Sequence, residues 1–309
     1  MLAPFSDSEG EEEEHFLATA LGLYQVFVKE LHKRTAIDPY LRLDGIIEIA
    51  NSEAERDRLR ERAAALVDRG IHAHWFEPDE ARDIEPALGP ENLFGASLIE
   101  EEGQIDCRYL GRALRAACVD EGVILEEQTG LVALQTNDNS VVGVRAGEKF
   151  LLAEAVVNAA GAWAAELEGV PTDVRIPIAP FKAGLLALNM PQRLLKRPVS
   201  VAGIYVLPRT DGSVLIGEVP GGARFDREVD ATAVERLRET AVRAMPVLAE
   251  LTIGDCWAAL RPRSPNLRPF IGRTELDGYY VAAGHYRHGI LLAPTTALAI
   301  ANVIEGSVV

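Results

Sequence analysis

Cysteine is scarce in this chain: Cys107, Cys118 and Cys256 are all it has in 309 residues. An odd number at scattered positions argues against a disulfide framework and against a Cys-x-x-Cys zinc site. Positive charge is short as well. The 31 Lys and Arg face 47 Asp and Glu, a formal net charge of −16, which argues against nucleic acid or an anionic membrane as the main partner. No apolar run reaches the ~20 residues that span a bilayer. The longest, at the C-terminus, is interrupted by His285, Arg287 and His288. HExxH, CxxC and GxSxG do not occur, so zinc-protease, thiol-redox and serine-hydrolase chemistry have no carrier. His72/His74 and His285/His288 have no third ligand nearby, and no metal is expected. The acidic opening "MLAPFSDSEGEEEE" lacks the basic n-region of an export signal. With scattered cysteines, this predicts a cytoplasmic protein.

What is present suits two interleaved domains. The acid run 9–14 opens an amphipathic helix, since negative charge favours a helix N-terminus. Residues 40–50 alternate like a strand. Ser52 and Glu55 mark the start of a charged helix that stops at Gly70. A short acidic helix, "EPDEARDIEPAL", is closed by Pro86, and "RYLGRALRAACVDEG" is a helix followed by a strand, "VILEEQ". Short strands with turns at "NDN" and "GEK" fill 131–157. Longer strands follow at 175–181, 184–190, 203–209 and 213–219, with "TDG" as a hairpin turn. A helix capped by Asp230 is predicted over 230–251. The strand "YYVAAG" leads into an apolar helix, read as internal, with Pro294 near its start. The pattern is α/β (α+β): a parallel layer assembled from separate segments plus a mainly antiparallel sheet.

Two strand-to-glycine turns carry the chemistry. "VVNAAGAW" puts Gly161 where a buried strand ends, and "YYVAAGHYRHG" does the same with Gly284. Ligands of open α/β sheets bind at the carboxyl ends of strands, and a helix starting at 289–290 aims its positive end at electron-rich atoms. Either turn alone is equally consistent with packing; together they favour a planar, electron-accepting cofactor. Arg261, in "WAALRPR", is either a surface charge or a carboxylate fork. Arg287, crowded by two glycines and an apolar helix, is the better candidate for a buried anion partner. Tyr205 is either ordinary strand packing or a phenol donor to the same carboxylate.

"VVNAAGAWA", "YVLPRTDGSVLIGE", "ALRPRSPNLRPFIG" and "AAGHYRHGILLAPTTALAIANVI" resemble the D-amino-acid oxidase superfamily of flavoproteins, and within it the glycine oxidase branch that serves thiamine biosynthesis. "DEARDIEPAL" and "EEGQIDCRYLGRAL" are similar too, so the resemblance spans nearly the whole chain. It implies an FAD-binding domain of the glutathione-reductase type from 1–38, 105–168 and 256–309. A substrate domain with a large, mainly antiparallel sheet would come from 39–104 and 169–255. It implies FAD as cofactor, hydride transfer from Cα of a small amino acid or amine to flavin N5, hydrolysis of the imine to oxo acid and ammonia, and dioxygen as acceptor. By motif, Arg261, Arg287 and Tyr205 would meet the substrate carboxylate. Gly203 and Val219 would line its pocket. Leu131, Ala160, Gly161 and Trp163, with Gly284, His285, Tyr286, Arg287, His288, Gly289, Ile290 and Leu291, would contact the flavin.

One departure is large. The family's opening strand–GxGxxG–helix, which cradles the FAD pyrophosphate, is not in this sequence, and "MLAP" resembles a segment that follows it. About one βαβ unit, roughly 30–45 residues, would precede. A chain lacking that unit is expected to hold FAD poorly and to expose sheet edges that favour association of copies. Two sister readings share the flavin: a D-amino-acid dehydrogenase and a sarcosine-type oxidase. A third, of another class, is a non-catalytic remnant acting as a binding protein.

Overall fold

The computed structural model describes all residues except 9, 131, 219–221 and 307–309. Helix α1 (Glu11–Thr35) opens on four glutamates and closes on His32, Lys33 and Arg34, charges matched to its dipole. It is followed by β1 (Ile46–Ala50), which starts later than the pattern over 40–50 predicts because Gly45 turns the chain at φ 90°. In α2 (Glu53–Asp68) the Ser52 hydroxyl accepts from Glu55 N–H, as its spacing implies. Then come β2 (Ala73–Phe76), α3 (Pro78–Ile84), β3 (Gly95–Ile99) and α4 (Cys107–Asp120). A meander of β4 (Val132–Asn137), β5 (Ser140–Ala146) and β6 (Lys149–Leu152) precedes β7 (Val156–Asn158). The two strands expected over 175–190 are one, β8 (Ala179–Asn189). Strands β9 (Val199–Val201), β10 (Ile204–Pro208) and β11 (Ser213–Glu218) lead to α5 (Ala231–Ala244). The helix predicted to reach 251 stops at Ala244 because Pro246 cannot donate the next helical bond; a 3-10 turn, Pro246–Glu250, follows. The chain ends through β12 (Ile253–Arg263), β13 (Phe270–Arg273), β14 (Tyr279–Ala283) and α6 (Gly289–Glu305).

The chain divides into two compact units: the first is Met1–Ala113, Ala183–Gly221 and Asp226–Ala259, the second Leu114–Lys182, Gly222–Phe225 and Leu260–Val309. The large sheet of the first has the order β12-β8-β11-β10-β9-β1-β3-β2. Its pairings β2–β3, β3–β1, β9–β10, β10–β11 and β11–β8 are antiparallel, whereas β1 and β9 run parallel. One face carries Ile47, Ile49, Leu98, Val199, Val201, Ile204, Val206 and Ile216 and packs on Leu237 and Ala241 of α5 and on Met245 just beyond it. Each such side chain contributes about 1.5–3 kcal/mol by leaving water. The other face carries Glu48, Ser200, Tyr205 and Gly217, aligned by the strand register, and Glu48 accepts hydrogen bonds from Arg58 and Arg62 of α2.

Two buried acids fasten the first unit. Asp106 caps α4 by accepting from Arg108 and Tyr109 N–H and pairs with Arg209; these two side chains are 6% and 10% exposed. Glu102, fully buried, accepts from the N–H groups of Phe5 and Ser6 and from the Ser6 hydroxyl. Burial pushes its carboxyl up to about 7, against those bonds and the Arg62 charge.

The second unit contains two three-stranded sheets, β13-β14-β7 and β4-β5-β6. Strand β14 pairs parallel with β7 and antiparallel with β13. Leu134, Val174, Ile176, Ile178, Tyr279 and Val281 form its core. "VILEEQ" is not a strand here: 123–127 has no regular structure, and Ile124 is 84% exposed. Glu126 and Glu127 are held by Lys149 and Arg115 instead. An apolar, extended segment becomes a strand only where an edge supplies its ladder. Helix α6 buries one face, with Leu291, Leu292, Thr296 and Ile300, and leaves Leu298 54% exposed, so it is not internal all round. Pro294 is its sixth residue, beyond the first turn where proline is cheapest.

Candidate functional site

The carboxyl end of β14 leads through five residues into α6. Gly284 is left-handed, φ 87°, and a Cβ there would stand 2.8 Å from Ile178 Cδ1. His285 follows, buried, pairing as a bridge with Arg263 and bonded through Nε2 to Thr296 Oγ1 of α6 at 2.9 Å. Burial lowers its imidazole to about 4, so the ring is neutral and pins the turn to the helix. Tyr286 adopts φ 49° and donates its N–H to the Pro262 carbonyl at 2.9 Å. A non-glycine residue there is strained, and the strain turns the chain so that Arg287, half-buried, follows directly before the α6 N-terminus. His288, buried, donates its N–H to the His285 carbonyl, and its own carbonyl accepts from Leu292. Gly289, Ile290 and Leu291 are the first turn of α6.

The second turn follows β7. Asn158 is buried, and its amide donates to the Ala164 carbonyl at 2.9 Å and to the Tyr279 hydroxyl at 2.8 Å; its oxygen accepts from Ala160 N–H at 3.2 Å. One side chain thus ties β7, the 3-10 turn Gly161–Glu166 and β14 together. Gly161 is left-handed, φ 58°, with open space where a Cβ would stand. Trp163 is 42% exposed, its ring 6.1 Å from Phe225.

Arg261 lies on β12, half-buried, two residues before Arg263 and so on the same strand face. The Arg263 guanidinium stacks over Phe181 at 4.7 Å, and Phe181 meets Tyr286 edge-on at 6.0 Å. The Arg287 guanidinium lies 5.8 Å from the Tyr286 ring. Arg263, Phe181, Tyr286 and Arg287 therefore form one run of cations and rings, each contact of the cation–π kind contributing about 0.5–2 kcal/mol. Sequence reasoning named Arg287 and Tyr286 but missed Phe181, Arg263 and Asn158. Asn158 is legible as the one polar residue ending an otherwise apolar strand.

Tyr205 and Gly203 belong to the first unit. Tyr205 projects from β10 on the sheet face opposite the α5 core, against Gly217, where a Cβ would stand 2.3 Å from its ring. Gly203, φ 78°, is in the exposed β9–β10 hairpin turn. Leu131 and Val219 lie outside the described residues. His72 and His74 bond Glu101 and Glu100, and no group of three or more metal-ligating side chains occurs among the described residues. Nor is any described helix long and apolar enough to cross a membrane.

These turns fit the ring end of a flat cofactor. Gly161 opens space beside the backbone, α6 presents its positive dipole end, and Arg287 adds a full cation just before it.

Comparison with known proteins points the same way. Residues 2–303 match the family described as FAD dependent oxidoreductase. A glycine oxidase of Geobacillus kaustophilus is 34% identical over 285 residues, 92% of this chain and 75% of its own length. A bifunctional ThiO/ThiG protein of Nostoc sp. is 33% identical over 236 residues, 75% of this chain and 35% of that longer protein. The crystal structure of glycine oxidase from Geobacillus kaustophilus matches with a TM-score of 0.93 at 31% identity, covering 100% of this chain and 83% of that one.

Proposed function

The chain belongs to the FAD-dependent oxidoreductase family, and from that premise we propose that it oxidises glycine or a comparably small amine, with dioxygen as the acceptor. The substrate loses a hydrogen with its bonding pair from Cα and a proton from nitrogen, and a C=N bond forms. Water then converts the imine to an oxo acid and ammonia. FAD would supply the two-electron acceptor for this oxidation, with dioxygen, reduced to hydrogen peroxide, as the final acceptor.

The protein's own work is binding, orientation and electrostatics. Arg287 and Arg261 are assigned to the substrate carboxylate, each able to hold it through a two-pronged guanidinium. An amine that binds neutral needs no dedicated base. His285 is not offered as one, because its ring is buried and bonded to Thr296. The α6 N-terminus would favour negative charge on a flavin ring bound at this turn. The reading is carried by Arg287, delivered by the strained Tyr286 turn to the start of α6. Similarity to glycine oxidases and to ThiO/ThiG supports a place in thiamine biosynthesis, where the imine of glycine is the useful product.

The test is to titrate the purified chain with FAD, follow flavin absorbance after desalting, and assay peroxide with glycine, sarcosine and D-alanine. Flavin retention with peroxide from glycine, and a KM raised about 30-fold or more by Arg287→Ala, is expected for a carboxylate partner worth ~2 kcal/mol or more. Flavin retained with no amine oxidised, or Arg287→Ala without effect, overturns the reading.

A further inference from the structure

The first unit holds a cavity on the sheet face opposite Tyr205. It encloses about 190 Å³ and is lined by Ile49, Asn51, Glu91, Asn92, Val201 and Arg243 among others. Ile49 and Val201 sit at the carboxyl ends of β1 and β9, the parallel pair within a sheet whose other named pairings are antiparallel. The carboxyl end of parallel strands is where open sheets present loops to ligands. The chain leaves β1 through Asn51 and β9 through Ala202, and both line the cavity. One wall is the end of α5, with Thr240, Arg243 and Ala244, and the opposite wall is the loop 89–93. Gly89 lets that loop approach α5: its N–H donates to the Ala244 carbonyl at 2.8 Å, and a Cβ would stand 2.8 Å from Pro246 Cδ.

The lining has the polarity of a small zwitterion's complement. Arg243 is a cation and Glu91 an anion, both at the exposed rim, with the carboxamides of Asn51 and Asn92 between them in kind. Among the described residues, no ion pair engages Arg243 or Glu91. The floor is aliphatic: Ile49 and Val201 are each 5% exposed. Two lining residues, Asn92 and Ala202, hold left-handed backbone at φ 53° and 49°, and such strain clusters at ligand clamps. The volume falls below the roughly 300 Å³ at which pockets for drug-sized molecules begin, so the occupant is small.

We propose that this cavity binds a free amino acid with a short aliphatic side chain: its carboxylate on Arg243, its ammonium on Glu91 and its side chain on the Ile49–Val201 floor. The site is independent of the oxidation reading, since every lining residue belongs to the first unit and none is Arg261 or Arg287.

Calorimetric titration with L-leucine tests it. One-to-one binding is expected, unchanged in Arg287→Ala and weakened about tenfold or more in Arg243→Ala and in Glu91→Gln, the loss of one charge-assisted contact. N-acetyl-leucine, without the ammonium, and isoamylamine, without the carboxylate, bind correspondingly less. Thr240→Phe, which fills the cavity, abolishes the titration while circular dichroism stays native. Absence of leucine binding overturns the proposal, as does binding indifferent to both rim variants or lost in Arg287→Ala. The last outcome would assign leucine to the arginines of the second unit.

Discussion

Glu102 in the first unit and His285 in the second are both titratable groups held out of water, and acid acts on them in opposite senses. Burial pushes the Glu102 carboxyl up to about 7 and the His285 imidazole down to about 4. In each case the charged form is the one disfavoured. Between its ordinary 4.5 and about 7, Glu102 is protonated in the folded chain and ionised in the unfolded one. Its contribution to stability therefore falls as pH rises through that window. Between its ordinary 6.5 and about 4, His285 is neutral when folded and protonated when unfolded. Its contribution is present above 6.5 and is lost as pH falls. Going from neutral to pH 5, the first unit gains from Glu102 while the second loses from His285. The same desolvation strengthens one region and weakens the other because one group is an acid and the other a base.

The comparison can be broken outright in the first unit. Asp106→Ala leaves Arg209 as an uncompensated buried cation and uncaps α4. A loss of about 3–5 kcal/mol is expected, read as a lowered urea midpoint. Sharpening comes from pH. Hydrogen exchange at pH 7 and pH 5 should show β14 and α6 losing protection by up to about 2 kcal/mol while the segment around Phe5 and Ser6 gains it. Glu102→Gln should remove the gain alone and His285→Gln the loss alone; both regions moving the same way would sink the argument. Asn158→Ala takes two donors from buried partners in the second unit. A destabilisation of about 1–2 kcal/mol is expected, with protection lost at Gly161–Glu166 and β14 and not in the large sheet. The smallest effect belongs to Gly217→Ala. The added methyl moves the Tyr205 ring at a cost of about 1 kcal/mol, visible as displaced Tyr205 ring resonances with little change in melting.

Much of this was legible in the sequence where local chemistry decides. Ser52 and Asp230 cap their helices, the "TDG" turn joins β10 to β11, and both glycine turns stand at strand ends. The sequence pattern failed where partners decide. "VILEEQ" has the composition of a strand and no ladder to join. Strands β2 and β3 are not legible because "AHWF" and "GASLI" are too short to show a period; β3 takes its register from β1, and β2 takes its own from β3. In the candidate site, Arg287 stood out because charge among glycines and aliphatics is conspicuous. Phe181 and Arg263 did not, since only the fold stacks one on the other across 82 positions of chain. Gly217 was read as part of a motif, whereas its importance is the ring above it.

That last contact has an evolutionary consequence. Positions 205 and 217 share one volume, so a side chain at 217 and an aromatic ring at 205 strain against each other. A lineage acquires a side chain at 217 at least cost after an aromatic at 205 has shrunk, and an aromatic returns at least cost after 217 has reverted to glycine. Across related chains the two positions should covary as bulk against absence, a signature of epistasis written by a residue that has no side chain at all.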